Sequence, residues 1–174
     1  MSSVTLGRLD HDAHAPDWAA LGMLLQDAVA SGASLGFWAP LDELSAAAYW
    51  EEIRDAMPLG HNRVVVARFD GAIVGCVVIF EHEKENAKHR ADIAKLMVHT
   101  EYRRHGLGRR LIEAAEKEAR AMGKTLLVLD TRTGDPAEIL YVREGWRCAG
   151  VIPRYTHERD GSFHDTSIFY KHLD

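Results

Sequence analysis

Residues Ile93 to Met122 read IAKLMVHTEYRRHGLGRRLIEAAEKEARAM. The segment starts apolar, passes through a turn dense in arginine and glycine, and continues as a helix with charges on one face. A strand feeding a glycine-rich turn and a helix start is how backbone amides come to point at a phosphate. Gly106 and Gly108 remove Cβ atoms where a ligand approaches the backbone. The amides that follow have no partners inside the helix, and the helix dipole adds partial positive charge there. Arg103, Arg104, Arg109 and Arg110 supply charge-assisted hydrogen bonds. Together these describe a diphosphate site. On the glycines alone, the same turn reads as a glycine-rich helix cap with solvated arginines. The pattern GxxxxGK[ST] is absent, as is the six-residue spacing of a Rossmann fingerprint. The helix itself is well specified. Leu107, Leu111, Ala115, Ala119 and Met122 form one stripe, and Glu113–Lys117 and Glu116–Arg120 are spaced as i,i+4 pairs on the other face.

Outward from this unit, the preceding chain alternates structure types. Val4 to Leu9 is a short strand. Pro16 and Asp17 open a helix with a stripe of Trp18, Leu21, Leu25, Ala28 and Val29. SGASLGFWAP follows, and its Phe37 and Trp38 suit either a packed connection or a substrate-side loop. Asp42 caps a second helix to about Met57, with Leu44, Ala47, Trp50 and Ile53 at helical spacing. RVVVARF and AIVGCVVIF flank Asp70-Gly71, a pair that tolerates the positive φ angles of a type I′ hairpin turn. The two runs are continuously apolar, so the sheet is expected to be covered on both faces. Glu81 to Arg90 is a polar excursion before an antiparallel strand, Ala91 to Val98. After the central helix, Leu126 to Leu129 form a buried strand ending in Asp130. Asp135-Pro136 opens a helix through Tyr141 to Gly145. Cys148 to Ile152 and Ser167 to Tyr170 form a last strand pair.

The 174 residues are read as one domain with a real core. A net charge of −5 argues against a nucleic-acid partner. No apolar run approaches the roughly 20 residues of a membrane span, and MSSVTLGRLD lacks the plan of a signal peptide. Cys76 and Cys148 have no CxxC spacing and read as reduced thiols of a cytoplasmic protein. The pairs His82/His89 and His11/His14 lack ligand spacing, so no metal is expected.

KLMVHTEYRRHGLGRRLIEAAEKEA resembles motif A of the GNAT superfamily of acyl-CoA N-acyltransferases, in which an apolar strand and a turn lead to [RQ]xxGx[GA]. Here those positions are Arg103, Gly106 and Gly108. LYVREGW resembles the closing motif of the same superfamily, and the order of elements agrees over nearly the whole chain. SGASLGF, RADIAKLMV and LLVLDT are further similar to the tabtoxin-resistance acetyltransferase. The resemblance implies a mixed, mostly antiparallel sheet of about six to seven strands with helices on both faces. It also implies acetyl-CoA between the strands ending at Val98 and Asp130. Backbone groups of Leu96, Met97 and Val98 would hold pantetheine and thioester. The turn Arg103, Arg104, His105, Gly106, Leu107, Gly108 and Arg109 would hold the pyrophosphate. Many members carry an asparagine seven residues before the tyrosine of the closing motif, whereas this chain has Gly134. Cofactor contact there is therefore lost or made by backbone.

Acyl transfer to an amine sets further needs. A lysine-like amine has a pKa of roughly 10 and must lose a proton before attack. A departing thiolate with a pKa of roughly 8.5 benefits from an acid. Tyr141 matches the tyrosine of the closing motif and is the candidate acid. Read without the resemblance, it is a core tyrosine. Asp130 and Asp92 are carboxylates within apolar strands, which is costly unless solvated or paired. Both are candidate bases. Phe37, Trp38, Glu81 and His82 are the candidate acceptor-side residues. The expected activity is acetyl transfer to the primary amine of a small molecule: an amino-acid-like metabolite, toxin or antibiotic. Alternatives are a protein or peptide N-acetyltransferase and a non-catalytic acyl-CoA sensor. Oligomeric state is open, with a homodimer allowed.

Overall fold

The computed structural model describes residues 3–173. Strand β1 (Val4–Leu9) leads into helices α1 (Ala15–Ala30) and α2 (Glu43–Ala56). Strands β2 (Asn62–Phe69), β3 (Ala72–Glu81) and β4 (Arg90–Val98) precede helix α3 (Leu107–Ala121). Strand β5 (Leu126–Arg132), helix α4 (Pro136–Arg143), and strands β6 (Arg147–His157) and β7 (Phe163–His172) complete the order. The strands form one seven-stranded sheet, ordered β1-β2-β3-β4-β5-β7-β6. Every neighbouring pair is antiparallel except β4–β5.

Local chemistry accounts for the expected elements. Asp70 and Gly71 both have positive φ, 47° and 87°, as the β2–β3 turn requires. Asp42 accepts the Ser45 amide at 2.8 Å and caps α2. The apolar runs of β2 and β3 split by alternation. Val65, Ala67, Val77 and Ile79 join α3 in one core. Val64, Val66, Cys76 and Val78 join α1 and α2 in the other. Covering both faces removes the apolar–polar alternation that a half-exposed strand would display.

Some boundaries differ from the sequence reading. Strand β5 runs past Asp130 to Arg132 because β7 pairs with it throughout, from Leu126↔His172 to Arg132↔Thr166. Strand β6 is longer than Cys148–Ile152 and exposed along almost its whole length, Cys148 included. Its extent is set by pairing with β7, not by an apolar run. Glu116 is not on the solvated face of α3. It is buried, accepting from Trp146 Nε1 at 3.0 Å and Lys171 Nζ at 2.7 Å. A buried carboxylate needs such partners, and Arg120 adds the expected i,i+4 ion pair at 3.8 Å. Glu113 pairs with Arg109 rather than Lys117.

Two irregularities shape the middle of the sheet. The β4–β5 ladder holds only Arg90–Asp92 against Leu126–Val128, and beyond it the strands part. Across β3, Val78 pairs with Ala94 and Cys76 with Met97, so Lys95 and Leu96 oppose the single residue Val77. This bulge carries Lys95 at φ 54°, a conformation rare outside glycine. Gly75 permits the close packing nearby. A Cβ there would lie 2.9 Å from the Met97 carbonyl oxygen and 3.0 Å from Leu111 Cδ1.

Candidate active site

At the end of β4, past the point where it parts from β5, lies a cleft of about 1160 Å³ lined by Leu96, Met97, Val98, by Arg103, Arg104 and Gly106 to Arg109 of the turn, and by Pro136, Ala137, Ile139 and Leu140 of α4. At the turn, Arg104 and Gly106 both have positive φ, 63° and 76°. The first backbone hydrogen bond of α3 runs from Arg110 N–H to the Gly106 carbonyl at 3.1 Å. Among the described residues, the amides from Arg104 through Arg109 have no backbone partner. Six consecutive free donors at a helix start form a ready anion cradle. A Cβ on Gly108 would sit 3.4 Å from Leu140 Cδ2, so a larger side chain would press into the cleft wall.

The arginines divide their work differently from the sequence reading. Arg103 turns inward, donating to the Val98 carbonyl at 2.9 Å and the Ser31 hydroxyl at 2.8 Å. Arg109 is held by Glu113 and Glu144, and Arg110 by the Val4 carbonyl. Among the described residues Arg104 has no ion pair or side-chain hydrogen bond, and His105 is exposed. The anion-binding capacity therefore rests on backbone amides and Arg104. Asp27 of α1 accepts from the Thr100 amide and hydroxyl, which ties α1 to the same turn.

Tyr141 is buried between Trp146 and Phe169, at centroid distances of 5.9 and 5.7 Å. Burial, with Asp130 and Asp135 adding to it, pushes its phenol far above the usual tyrosine range. It therefore holds its proton at any physiological pH, as a proton donor must. Asp130 lies two residues beyond Val128, where pairing with β4 stops. It keeps an accessible surface, yet desolvation raises its pKa, against the pull of Lys95. A base with a raised pKa accepts a proton more readily near neutrality.

The structure treats the other expected residues unevenly. Asp92 lies on the same sheet face as Asp130, but at the end where the strands still pair. It is engaged by His82 Nε2 at 3.0 Å and Arg90 at 3.3 Å. None of Glu81, His82, Asp92, Asp130 and Tyr141 lines the cleft itself. Glu81 bridges Lys124 at 2.7 Å and Arg63 at 3.8 Å, and His82 is spent on Asp92 and Arg90. Phe37 packs edge-on against Tyr49 at 5.5 Å, and Trp38 donates Nε1–H to the His157 carbonyl at 2.9 Å. The connection between α1 and α2 is thus tied to the β6–β7 hairpin. Gly134, at the position of the family's asparagine, has φ 87° and gives its amide to Glu138.

Sequence reasoning missed Lys95. Its ammonium donates to the Leu35 carbonyl at 2.9 Å and lies 5.8 Å from the Phe37 ring centroid and 5.1 Å from that of Tyr49. Burial lowers its pKa, against the pull of Asp130. The signal was present: a lysine within ADIAKLMV is as anomalous as the aspartate beside it.

A parted parallel strand pair, an amide cradle at the following helix, and a buried tyrosine near a carboxylate on the parted strand are the arrangement expected of an acyl-CoA-dependent N-acyltransferase. The Acetyltransferase (GNAT) family model matches residues 33–146. An N-acetyltransferase of Azospirillum brasilense from the hisH-hisA intergenic region is 33% identical over 134 residues, covering 76% of this chain and 77% of its own. The chain belongs to the GNAT acetyltransferase family. An amino-acid acetyltransferase of Mannheimia succiniciproducens is 34% identical over 100 residues, 57% of this chain and 21% of that longer protein. An acetyltransferase of Salmonella typhimurium solved with acetyl-CoA matches the fold with a TM-score of 0.80 at 23% identity, over 99% of this chain and 95% of that one. A phosphinothricin acetyltransferase of Sinorhizobium meliloti in complex with acetyl-CoA matches with 0.79 at 19%, over 98% and 88%. No described helix is long and apolar enough to cross a membrane.

Proposed function

We propose that this chain, as a single domain, transfers the acetyl group of acetyl-CoA to the primary amine of a small, amino-acid-like molecule. The observation that carries the reading is the run of free amides from Arg104 to Arg109, beside the cleft between the edge of β4 and α4. The cleft suits an elongated cofactor with a diphosphate at one end. Arg104 and the turn amides would hold the diphosphate, and the edge of β4 from Leu96 to Val98 the pantetheine arm. Acetyl-CoA supplies the activated thioester. The resemblance of SGASLGF, RADIAKLMV and LLVLDT to the tabtoxin-resistance acetyltransferase, together with a relative named for amino acids, supports a small amino-acid-like acceptor.

Asp130, directly or through water, takes the proton that the acceptor nitrogen must lose before its lone pair attacks the thioester carbon. A backbone amide of β4 near Val98 donates to the oxygen as it gains charge. As the carbon–nitrogen bond forms and the carbon–sulfur bond breaks, the Tyr141 hydroxyl gives its proton to the departing sulfur, and the second proton that the nitrogen sheds on becoming an amide returns through water to the Tyr141 phenolate. Asp92, already engaged by His82 and Arg90, tunes the charge around Asp130.

The test is thiol release from acetyl-CoA against amino acids, polyamines, aminoglycosides and peptides. Release with small amino-acid-like amines supports the reading. Release with peptides alone would favour a protein acetyltransferase, and tight acetyl-CoA binding without release a sensor.

A further inference from the structure

The core on the α1–α2 side of the sheet draws its strand residues from β1 to β4 and contains none from β5, β6 or β7. Leu127, Leu129 and Phe169 belong to the opposite core. By strand alternation, Val128, Asp130, Ile168 and Tyr170 therefore face the α1–α2 side, where no helix core covers them. Lys95 reaches the same side, as its contacts with Leu35, Phe37 and Tyr49 require. An ammonium and a carboxylate thus stand at the border between the covered and uncovered halves of one sheet face.

These two charges influence each other but do not close into an ion pair among the described residues. Lys95 has one hydrogen-bond acceptor, the Leu35 carbonyl, for three donors. Asp130 has no side-chain hydrogen bond or ion pair among the described residues. Its neighbour on the same face, Asp92, by contrast holds His82 and Arg90 on its Oδ1. Asp130 is exposed to water, whereas Lys95 is half-buried with donors that have no protein acceptor among the described residues, so a bound anionic group would satisfy the cation. A bulge at a left-handed backbone position is what aims Lys95 here.

We propose that Lys95 and Asp130 are the two charged ends of the acceptor subsite, and that the acceptor carries a carboxylate or comparable anionic group close to its amine. This rests on the acetyl-transfer reading above and narrows its substrate class. Asp130 receives the ammonium end and Lys95 the anionic end, with Phe37 forming the adjoining wall. A polycation such as an aminoglycoside would leave Lys95 unmatched and be repelled by it. Lys95 also fixes its own wall through the Leu35 carbonyl, so the bound anion and the loop share one cation.

The test compares matched pairs, each an amino acid and its carboxamide, in acetyl-CoA-dependent thiol release. The carboxamide keeps the amine and removes the negative charge. Its amine is the less basic of the two, so a preference for the acid cannot arise from easier deprotonation. The expected wild-type kcat/KM is at least tenfold higher for the acid. Lys95→Met brings the acid-to-amide ratio towards one, and Lys95→Arg, which keeps the charge, retains most of it. A wild-type ratio near one overturns the proposal. So does an equal loss for acid and amide in Lys95→Met, which would leave Lys95 as a strap for the loop. Absence of thiol release with every amine overturns the acetyl-transfer reading and this proposal with it.

Discussion

Arg103 donates its Nε–H to the carbonyl of Val98 at 2.9 Å, joining the base of the glycine turn to the end of the strand that feeds it. The same guanidinium reaches Ser31 at the end of α1. One side chain therefore sets the distance between the edge of β4 and the free amides of the turn. A cofactor spanning both depends on that distance, although Arg103 need not touch the diphosphate.

Arg103→Met is expected to weaken acetyl-CoA binding by tenfold or more in calorimetry. A hydrogen bond from a charged donor contributes about 1.5–3 kcal/mol, so stability should fall as well. Thermal unfolding should shift down by about 5 °C for a domain of this size. Arg103→Lys should recover little, since an ammonium cannot bond two divergent oxygens in the fork geometry of arginine. Wild-type affinity in Arg103→Met would show that the turn holds its shape without this contact.

Gly75→Ala should be costly for a residue inside a strand. Its Cβ would meet the Met97 carbonyl at 2.9 Å and Leu111 at 3.0 Å, so β4 or α3 must shift. Overpacking of this kind costs about 1–3 kcal/mol. Because Met97 lines the cleft, KM for acetyl-CoA should rise in the same variant. Gly7→Ala is the control: nothing lies within 4 Å of its Cβ, and denaturant unfolding should detect little change.

The pH profile should report Asp130. A base must be deprotonated to act, so kcat/KM should climb with pH through a limb centred above the ordinary aspartate value of about 3.9. The direction follows from burial, which raises the pKa, with Lys95 opposing. Asp130→Asn should remove that limb and lower the rate by about 10²-fold or more. The limb arising from the acceptor's own amine should remain at higher pH. An unchanged profile in Asp130→Asn would transfer the base role elsewhere.

The hairpin, the cap of α2 and the stripes of α1 and α3 were legible because each is fixed by residues within a few positions of one another, whereas on α2 Leu44 is 83% exposed, Ala47 is exposed too, and Ala46 is buried beside Trp50 and Ile53. Asp70-Gly71 needs no distant partner to make its turn, and neither does Asp42 to cap α2. The cradle was legible for the same reason. What escaped depends on partners far along the chain. Glu81 looked available for substrate until Lys124 and Arg63 engaged it. Glu116 looked solvated until Trp146 and Lys171 closed over it. Gly75 stands among valines, and its need for a missing side chain comes from Met97 and Leu111. Lys95 was visible as an oddity, but its direction was set by a bulge that no local pattern marks.

The most direct measurement is a paired one on Tyr141→Phe: acetyl-CoA affinity by calorimetry and single-turnover acetyl transfer to an acceptor that releases thiol with wild type. The substitution removes one oxygen and keeps the ring packed against Trp146 and Phe169. The account predicts affinity within about twofold of wild type and transfer slowed by about 10²-fold, the scale of a lost general acid. Transfer at the wild-type rate with wild-type affinity would contradict it, and would return Tyr141 to the core as a packing residue.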